Sequence, residues 1–280
     1  MPLPEKAAEI AAVLRTVLTG RYALALAGSY AKGTADEGSD LDFFLFLENP
    51  KPYEERKQII ESIADTGCGM WVSPDLKDGP WGGGMDFRFR GTPVEVTVRW
   101  IDSMEESLSR ALKGELEVLP AAWTTHGYYT YVCLSEVNFI QPVEDPYGIL
   151  AGWKVRAAEY PPLLRRAILS EFMGRSGMWL DNFHYDSAIE RADIWFAGPI
   201  VTATLLDMVQ VVLALNGVFY TGDKKLEKQL AALRFCPPEL REQAEFLLSA
   251  PRDPQKLREQ RQILRRIYAA LEAEQRRLGF

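Results

Sequence analysis

The residues best suited to chemistry are two aspartates one residue apart, Asp40 and Asp42. On an extended strand, residues two apart point to the same side, so both carboxylates would face one way while Leu41 and Phe43 face the core. Carboxylate oxygens are ligands that Mg²⁺ prefers, together with water and substrate phosphate oxygens. Two such ions about 3.5 to 4 Å apart can activate an attacking hydroxyl and stabilise a leaving pyrophosphate. The pair therefore predicts a magnesium site that acts on a polyphosphate.

A third carboxylate is expected to complete such a site, and three acidic residues downstream compete for this role. Glu95 is the preferred candidate, because the alternating segment around it sets one charged group on a strand whose opposite face is rich in valine. Asp86, on the preceding strand, is its rival. Asp102 is a weaker candidate, because it begins a helix and is expected to cap it. The predicted metal ligands are Asp40, Asp42 and Glu95, which are also the predicted catalytic core.

A glycine–serine turn precedes the aspartates and is expected to bind phosphate. Gly28 allows a sharp turn after a buried strand, and Ser29 offers a hydroxyl and a backbone N–H. A short helix beginning there would direct its positive end at the phosphate. Lys32 either approaches a phosphate or is an exposed lysine in a surface turn, and Ser39 is included among the predicted nucleotide contacts. The chain has no GxxxxGK[ST] sequence, which excludes a phosphate loop of that type.

The glycine–serine turn and the two aspartates together resemble the polymerase-beta-like nucleotidyltransferase superfamily. The pattern of that superfamily is a hydrophobic residue, Gly-Ser or Gly-Gly, a linker, and Asp-x-Asp or Asp-x-Glu between hydrophobic residues. The resemblance is close to the branch that contains kanamycin, streptomycin and lincosamide nucleotidyltransferases and the minimal nucleotidyltransferases. It implies that Asp40, Asp42 and Glu95 bind Mg²⁺ and that the turn contacts the phosphates of ATP or another nucleoside triphosphate. It implies a reaction type, not an acceptor.

An acceptor hydroxyl needs a general base within hydrogen-bond distance, and the related antibiotic-modifying enzymes use a carboxylate. Glu190 and Asp193 are the candidates in this chain. Both lie in an amphipathic segment, which could equally expose them to water or pair them with Arg191. Asp207, in an apolar helix, is a third candidate.

Two adjacent lysines, Lys224 and Lys225, are candidates for nucleotide binding from the second half of the chain. In the functional interpretation they extend across a cleft between two domains to the triphosphate. In the alternative they are residues in the first turn of a solvated helix that Asp223 caps.

The resemblance implies a small catalytic domain joined to a helical one, and the sequence pattern is mostly helical from about residue 147 onward. The predicted fold class is α/β (α+β), with a small mixed-sheet nucleotidyltransferase domain followed by an all-helical domain. The length of 280 residues suits two domains of ordinary size. The predicted boundaries are 1–115 for the catalytic domain, 116–147 for a connecting segment and 148–280 for the helical domain.

The hydrophobic periodicity predicts the elements of the catalytic domain. It predicts a helix over 4–18 that ends at Gly20, and strands over 22–27 and 41–47. A hairpin with its turn at Gly91 follows. In the second half the pattern predicts helices over 148–157, 161–173, 186–195, 199–216, 223–233, 238–248 and 254–278.

Composition bounds the choice of acceptor. With 32 basic and 39 acidic residues the formal charge is −7, and no local basic stripe offsets it. Such a chain repels a long phosphate backbone, so a nucleic acid partner is not expected. A small hydroxyl-bearing acceptor is favoured instead, and an aminoglycoside-like antibiotic would bring cationic amines to an acidic protein.

A regulatory role is the alternative, in which an antitoxin-like nucleotidyltransferase binds or modifies a protein partner. Three widely separated cysteines form neither a disulfide framework nor a metal knuckle. The N-terminal residues contain charges and helical periodicity, so we expect no leader segment, and no later run approaches about 20 uninterrupted apolar residues. We therefore expect a cytoplasmic protein without a membrane span.

Overall fold

The computed structural model describes residues 5–33, 35, 36, 38–77, 82–120, 124–222, 224 and 226–280. It has an α/β architecture, with a six-stranded mixed sheet in the N-terminal part and a helical C-terminal region, as the sequence predicts. The first elements are α1 Glu5–Leu14, β1 Leu18–Leu26, α2 Gly28–Ala31, β2 Leu41–Pro50, α3 Tyr53–Glu61, β3 Trp71–Val72, β4 Gly84–Phe89, β5 Thr92–Trp100 and α4 Ile101–Leu112.

The later elements are mostly helices. They are β6 Val118–Leu119, β7 Tyr128–Tyr129, α5 Val132–Phe139, β8 Gln141–Glu144, α6 Ile149–Arg156, α7 Pro162–Leu180, α8 Phe183–Glu190, α9 Ile194–Asn216, α10 Leu226–Ala231, α11 Glu239–Glu242, α12 Ala244–Leu247 and α13 Pro254–Leu278.

The chain forms two compact units, and each is continuous in space but not in sequence. One unit consists of Met1–Arg110 with Cys133–Glu159, and the other of Ala111–Val132 with Tyr160–Phe280. The domain boundaries inferred from the sequence stay a prediction. Segment 116–147, predicted as a connection, contains both α5 and β8.

The sheet of the first unit has the strand order β3-β4-β5-β2-β1-β8. β2 and β5 are parallel, and the other neighbours are antiparallel. The two central strands, β2 and β5, are far apart in sequence but adjacent in space. This pairing sets side by side the two strands that carry the predicted metal ligands.

Side chains alternate across the two faces of the sheet. Leu41, Phe43 and Leu45 are buried in one hydrophobic core with residues of α1 and α3. The intervening side chains of β2 lie on the opposite face, where Phe46 contacts Trp153 of α6 with ring centroids 5.0 Å apart. Because residues two apart share a face, burial of Leu41 and Phe43 directs the residue between them away from this core.

The prediction that Gly20 ends the first helix is wrong. Helix α1 ends at Leu14, and Gly20 lies within β1, with φ +84°. The pairing of β1 with β2 shifts register between Thr19 and Tyr22, so the glycine occupies a β-bulge. Helix α9 likewise begins at Ile194, before the predicted start at residue 199.

The second unit is built around α9, which packs against α7, α8 and α13. By length and composition alone α9 could cross a membrane, and no other helix in the described part of the chain meets this test. Within its most apolar window, 72% of the residues are buried inside the protein. A core helix has the same properties, because it is apolar on all sides.

Candidate metal centre

Three carboxylates converge at one end of the two central strands. Asp42 of β2 lies directly beside Glu95 of β5 in the parallel register, and Asp40 immediately precedes β2. Asp40, Asp42 and Glu95 each offer an oxygen within 4.8 Å of those of the other two. A shift of one residue in this register would turn Glu95 toward the core. The pairing of β2 with β5 therefore assembles the cluster.

Asp86, the rival third carboxylate, lies on the other side of Glu95. In the antiparallel pairing of β4 with β5, Asp86 is directly opposite Glu95, so both side chains are on the same face of the sheet. Burial raises the pKa of the Asp86 carboxyl. Within the described residues, the set that could hold a metal ion contains Glu95 and not Asp86. Asp102 lies in the first turn of α4 and is exposed.

Gly28 lies against the carboxylate of Asp42. Its φ is +55°, and a Cβ built on it would be 1.6 Å from Asp42 Oδ2. The backbone N–H of the preceding residue, Ala27, donates a hydrogen bond of 2.9 Å to the Asp42 carbonyl. Only glycine can occupy this position without moving the carboxylate. The predicted turn and the predicted metal ligand are thus in direct contact.

The other predicted nucleotide contacts of the first unit lie close to this turn in sequence. Ser29 is part of the short helix α2, and Lys32 follows it. Lys32 is exposed, and its ammonium lies 5.9 Å from the centroid of the Phe139 ring. The Ser39 hydroxyl accepts a 2.9 Å hydrogen bond from the backbone N–H of Asp36, which closes a local turn. Their contacts with a nucleotide stay predictions.

The two candidate general bases belong to the second unit. Glu190 is exposed at the end of α8 and forms an ion pair of 2.6 Å with Arg258 of α13. The predicted alternative partner, Arg191, instead donates to Ser187. Asp193 immediately precedes α9 and is half-buried. The role of either residue as a base stays a prediction.

The lysine pair is described only in part. Lys224 is exposed and precedes α10. Lys225 and its neighbour Asp223 lie outside the described residues. Nucleotide binding by Lys224 and Lys225 therefore stays a prediction.

The chemistry of the carboxylate cluster fits a hard divalent cation. All three donors are oxygens, two of the three side chains are exposed and the third is half-buried. Mg²⁺ is bound in this way, through a few carboxylates with the remaining positions open to water and substrate oxygens. Zinc sites use mainly histidine and cysteine, and this cluster contains neither. The arrangement can hold a cation beside a phosphate group and neutralise its charge.

The match to a known domain family agrees with this chemistry. Residues 8–76 match the family model of the nucleotidyltransferase domain, and the match includes the glycine–serine turn and both aspartates. The crystal structure of a nucleotidyltransferase-like protein from Exiguobacterium sibiricum is similar over 95% of this chain and 75% of that one, at 9% identity and a TM-score of 0.47. No curated protein matches the chain. Residues 8–76 are therefore similar to the nucleotidyltransferase domain family.

Proposed function

We propose that this protein is a magnesium-dependent nucleotidyltransferase that moves a nucleoside monophosphate, AMP from ATP, to a hydroxyl of a small molecule. One observation carries the proposal: three carboxylates lie within 4.8 Å of one another, beside a glycine that has no room for a side chain. The matched domain type supports a nucleoside triphosphate as one substrate. The nucleobase and the acceptor are the finer parts of the proposal.

Asp40, Asp42 and Glu95 would hold Mg²⁺ in this proposal. When bound, the ion would neutralise charge on the triphosphate and on the attacking oxygen. Gly28 keeps the Asp42 carboxylate in its position, because its lack of a side chain permits the close approach. Ser29, next to it on α2, is suited to orient a phosphate through its hydroxyl or its backbone N–H.

The proposed reaction is a displacement at the α-phosphorus. The acceptor oxygen forms a bond to that phosphorus, while the bond from phosphorus to the oxygen that bridges to the β-phosphate breaks. Pyrophosphate leaves with the electron pair of the broken bond, and the hydroxyl proton passes to a base or to water. Placement of the two reactants and neutralisation of charge supply most of the rate gain.

An aminoglycoside-like antibiotic is the proposed acceptor class, which would give the protein a role in antibiotic resistance. The net charge of −7 supports it, because cationic amines are attracted to an acidic protein. A cytoplasmic location is part of the same proposal.

Labelled nucleotides test the reaction. The protein would be incubated with Mg²⁺, each α-labelled nucleoside triphosphate and a panel of aminoglycosides and lincosamides, and pyrophosphate release and label transfer would be followed. We expect transfer by the wild type and a loss of at least about 100-fold in Asp40→Asn and Asp42→Asn, since removing a metal ligand removes transition-state stabilisation.

Asp102→Asn is the matched control, because it removes the same charge from an exposed position outside the cluster. It should retain wild-type activity. Transfer that persists in Asp40→Asn and Asp42→Asn would refute the assigned site, and a wild type that transfers no label to any acceptor would refute the reaction.

A further inference from the structure

The second unit contains a cavity of about 370 Å³ that the proposed reaction centre does not use. This volume is near the lower end of the ~300–1,000 Å³ range of small-molecule sites, so it suits a ligand of one or two rings. Four of its lining residues, between Pro199 and Leu206, come from one side of α9. Polar groups line the remainder, with His126, Arg175 and Asp207 among them.

A buried carboxylate faces this cavity. Asp207 is only 3% exposed, although it sits in the middle of the apolar helix α9. Burial raises the pKa of the Asp207 carboxyl to about 7, against the opposing effect of the Arg175 guanidinium. A carboxylate in such a position is costly unless it is well paired, so an incompletely paired one indicates a ligand or a strained core.

The pairing of Asp207 is incomplete on both sides. Arg175 Nε lies 3.2 Å from Asp207 Oδ2, and the Arg175 side chain is 40% exposed. In the described part of the chain, the second oxygen, Oδ1, accepts no hydrogen bond. The terminal nitrogens of Arg175 also donate to no atom of the described residues, and its guanidinium stacks at 5.4 Å on Phe172. The cavity thus offers one acceptor and two donors that a ligand can use.

We propose that this cavity binds a small amino alcohol, such as an amino sugar, whose ammonium donates to Asp207 and whose neighbouring hydroxyl oxygen accepts from Arg175. This binding site is argued from the cavity alone and does not depend on the proposed reaction.

Charge selects this ligand class over the alternatives. An anion would meet Arg175 but would also meet the buried carboxylate, which repels it. A neutral sugar could donate to Asp207, but an ammonium also carries the opposite charge, so it adds Coulomb attraction to the hydrogen bond. In an amino alcohol the hydroxyl oxygen lies between the ammonium and the Arg175 guanidinium. The ammonium then pairs with Asp207, and the hydroxyl oxygen accepts from Arg175.

Direct binding tests the site without relying on catalysis. Glucosamine, glucose and glucuronate would be titrated against the full chain, without nucleotide or Mg²⁺, by calorimetry or ligand-observed NMR. We expect glucosamine to bind at least about 10-fold more tightly than the other two sugars. Asp207→Asn should weaken glucosamine binding at least about 10-fold and leave glucose binding unchanged.

Glu171→Gln is the matched control, because Glu171 is an exposed acid on α7 whose charge also acts on Asp207. Its glucosamine affinity should stay within about twofold of the wild type. Equal binding of glucosamine and glucose, equal binding by Asp207→Asn, or no glucosamine binding by the wild type would each overturn the inference.

The two proposals can fail separately. Asp40→Asn should bind glucosamine as the wild type does while it loses nucleotidyl transfer. Binding that depends on Asp207, in a protein that transfers no nucleotide, would leave the site standing and refute the reaction. Transfer to acceptors without binding at Asp207 would leave the reaction standing and overturn the site.

Discussion

The contact between Gly28 and Asp42 shows how a single backbone position controls the geometry of a side chain. Sequence alone predicts a turn at Gly28, because glycine tolerates a positive φ. It could not predict that the missing side chain leaves room for the carboxylate of Asp42, since this depends on how the turn packs against β2. The glycine therefore has two roles, one in the backbone conformation and one in the geometry of the candidate metal centre.

Gly28→Ala should abolish the proposed metal site. A Cβ would fall 1.6 Å from Asp42 Oδ2, so the carboxylate must move. We expect Mg²⁺ affinity and nucleotidyl transfer to fall at least about 100-fold. Titration with Mn²⁺ followed by paramagnetic relaxation measures the first, and pyrophosphate release measures the second.

Gly33→Ala is the control for backbone strain. Gly33 also has a positive φ, of +67°, but among the described residues beyond its chain neighbours no atom lies within 4 Å of the added Cβ. Both variants should lose about 1 to 2 kcal/mol of stability through the strained φ. If the two variants lost metal affinity equally, the contact with Asp42 would have no special role.

Asp207 should make stability depend on pH. Burial raises its pKa from 3.8 to about 7, so between these values the folded protein keeps a proton that the unfolded chain has released. The free energy of unfolding therefore falls as pH rises through this range, by up to about 1.4 kcal/mol per unit. Asp207→Asn removes this dependence, because the amide stays neutral.

Denaturant unfolding at pH 5 and at pH 7 measures this effect. We expect the stability of Asp207→Asn relative to the wild type to rise by roughly 2 kcal/mol between these two values. If the difference in the free energy of unfolding between the two proteins were the same at both pH values, the Asp207 carboxyl would have its ordinary pKa.

Pairing between elements explains which parts of the fold the sequence could predict. Alternation along β2 and β5 is local, so the strands and the outward direction of Asp42 and Glu95 could be predicted. Their adjacency in the sheet could not, since parallel pairing of distant strands leaves no local signal. The prediction for Gly20 was wrong because a glycine in a bulge and a glycine after a helix look the same in sequence.

Arg56 connects α3 to the loop that follows β3. The three guanidinium nitrogens donate hydrogen bonds of 2.9 to 3.0 Å to the carbonyls of Lys51, Ser73 and Pro74. The residue is only 3% exposed. Arg56→Met should lower the free energy of unfolding by roughly 2 to 4 kcal/mol, because it leaves buried carbonyls without donors. The change is measured by urea denaturation.

Lys57→Met provides the comparison, since Lys57 is the half-buried neighbour whose ammonium lies 3.8 Å from Glu61. Its effect should stay within about 0.5 kcal/mol. Similar losses in both variants would mean that the carbonyl contacts of Arg56 add no stability.

At the scale of the whole molecule, each of the two compact units combines two separate segments of the chain, which the sequence does not suggest. The first unit needs residues 133–159, which supply α5, β8 and α6. β8 contains Pro142, and proline argues against a strand except at a sheet edge, where β8 lies. This segment therefore has no sequence pattern that indicates an extension of the sheet.

A fragment that ends at residue 115 should not form the first unit. It lacks β8, which pairs with β1, and Trp153, which contacts Phe46. A fragment of residues 1–159 keeps both. We expect cooperative thermal unfolding, followed by near-ultraviolet circular dichroism, in the longer fragment alone, and cooperative unfolding of the shorter one would show that the added strand is dispensable.

The late position of β8 in the sequence also affects biosynthesis. At about 5 to 20 residues per second, β8 leaves the ribosome roughly 6 to 23 s after β1. During that interval the nascent chain has an unpaired β1 edge, which is a template for pairing with other chains. Chaperone binding to stalled nascent chains should therefore drop once the ribosome has passed the codons for β8.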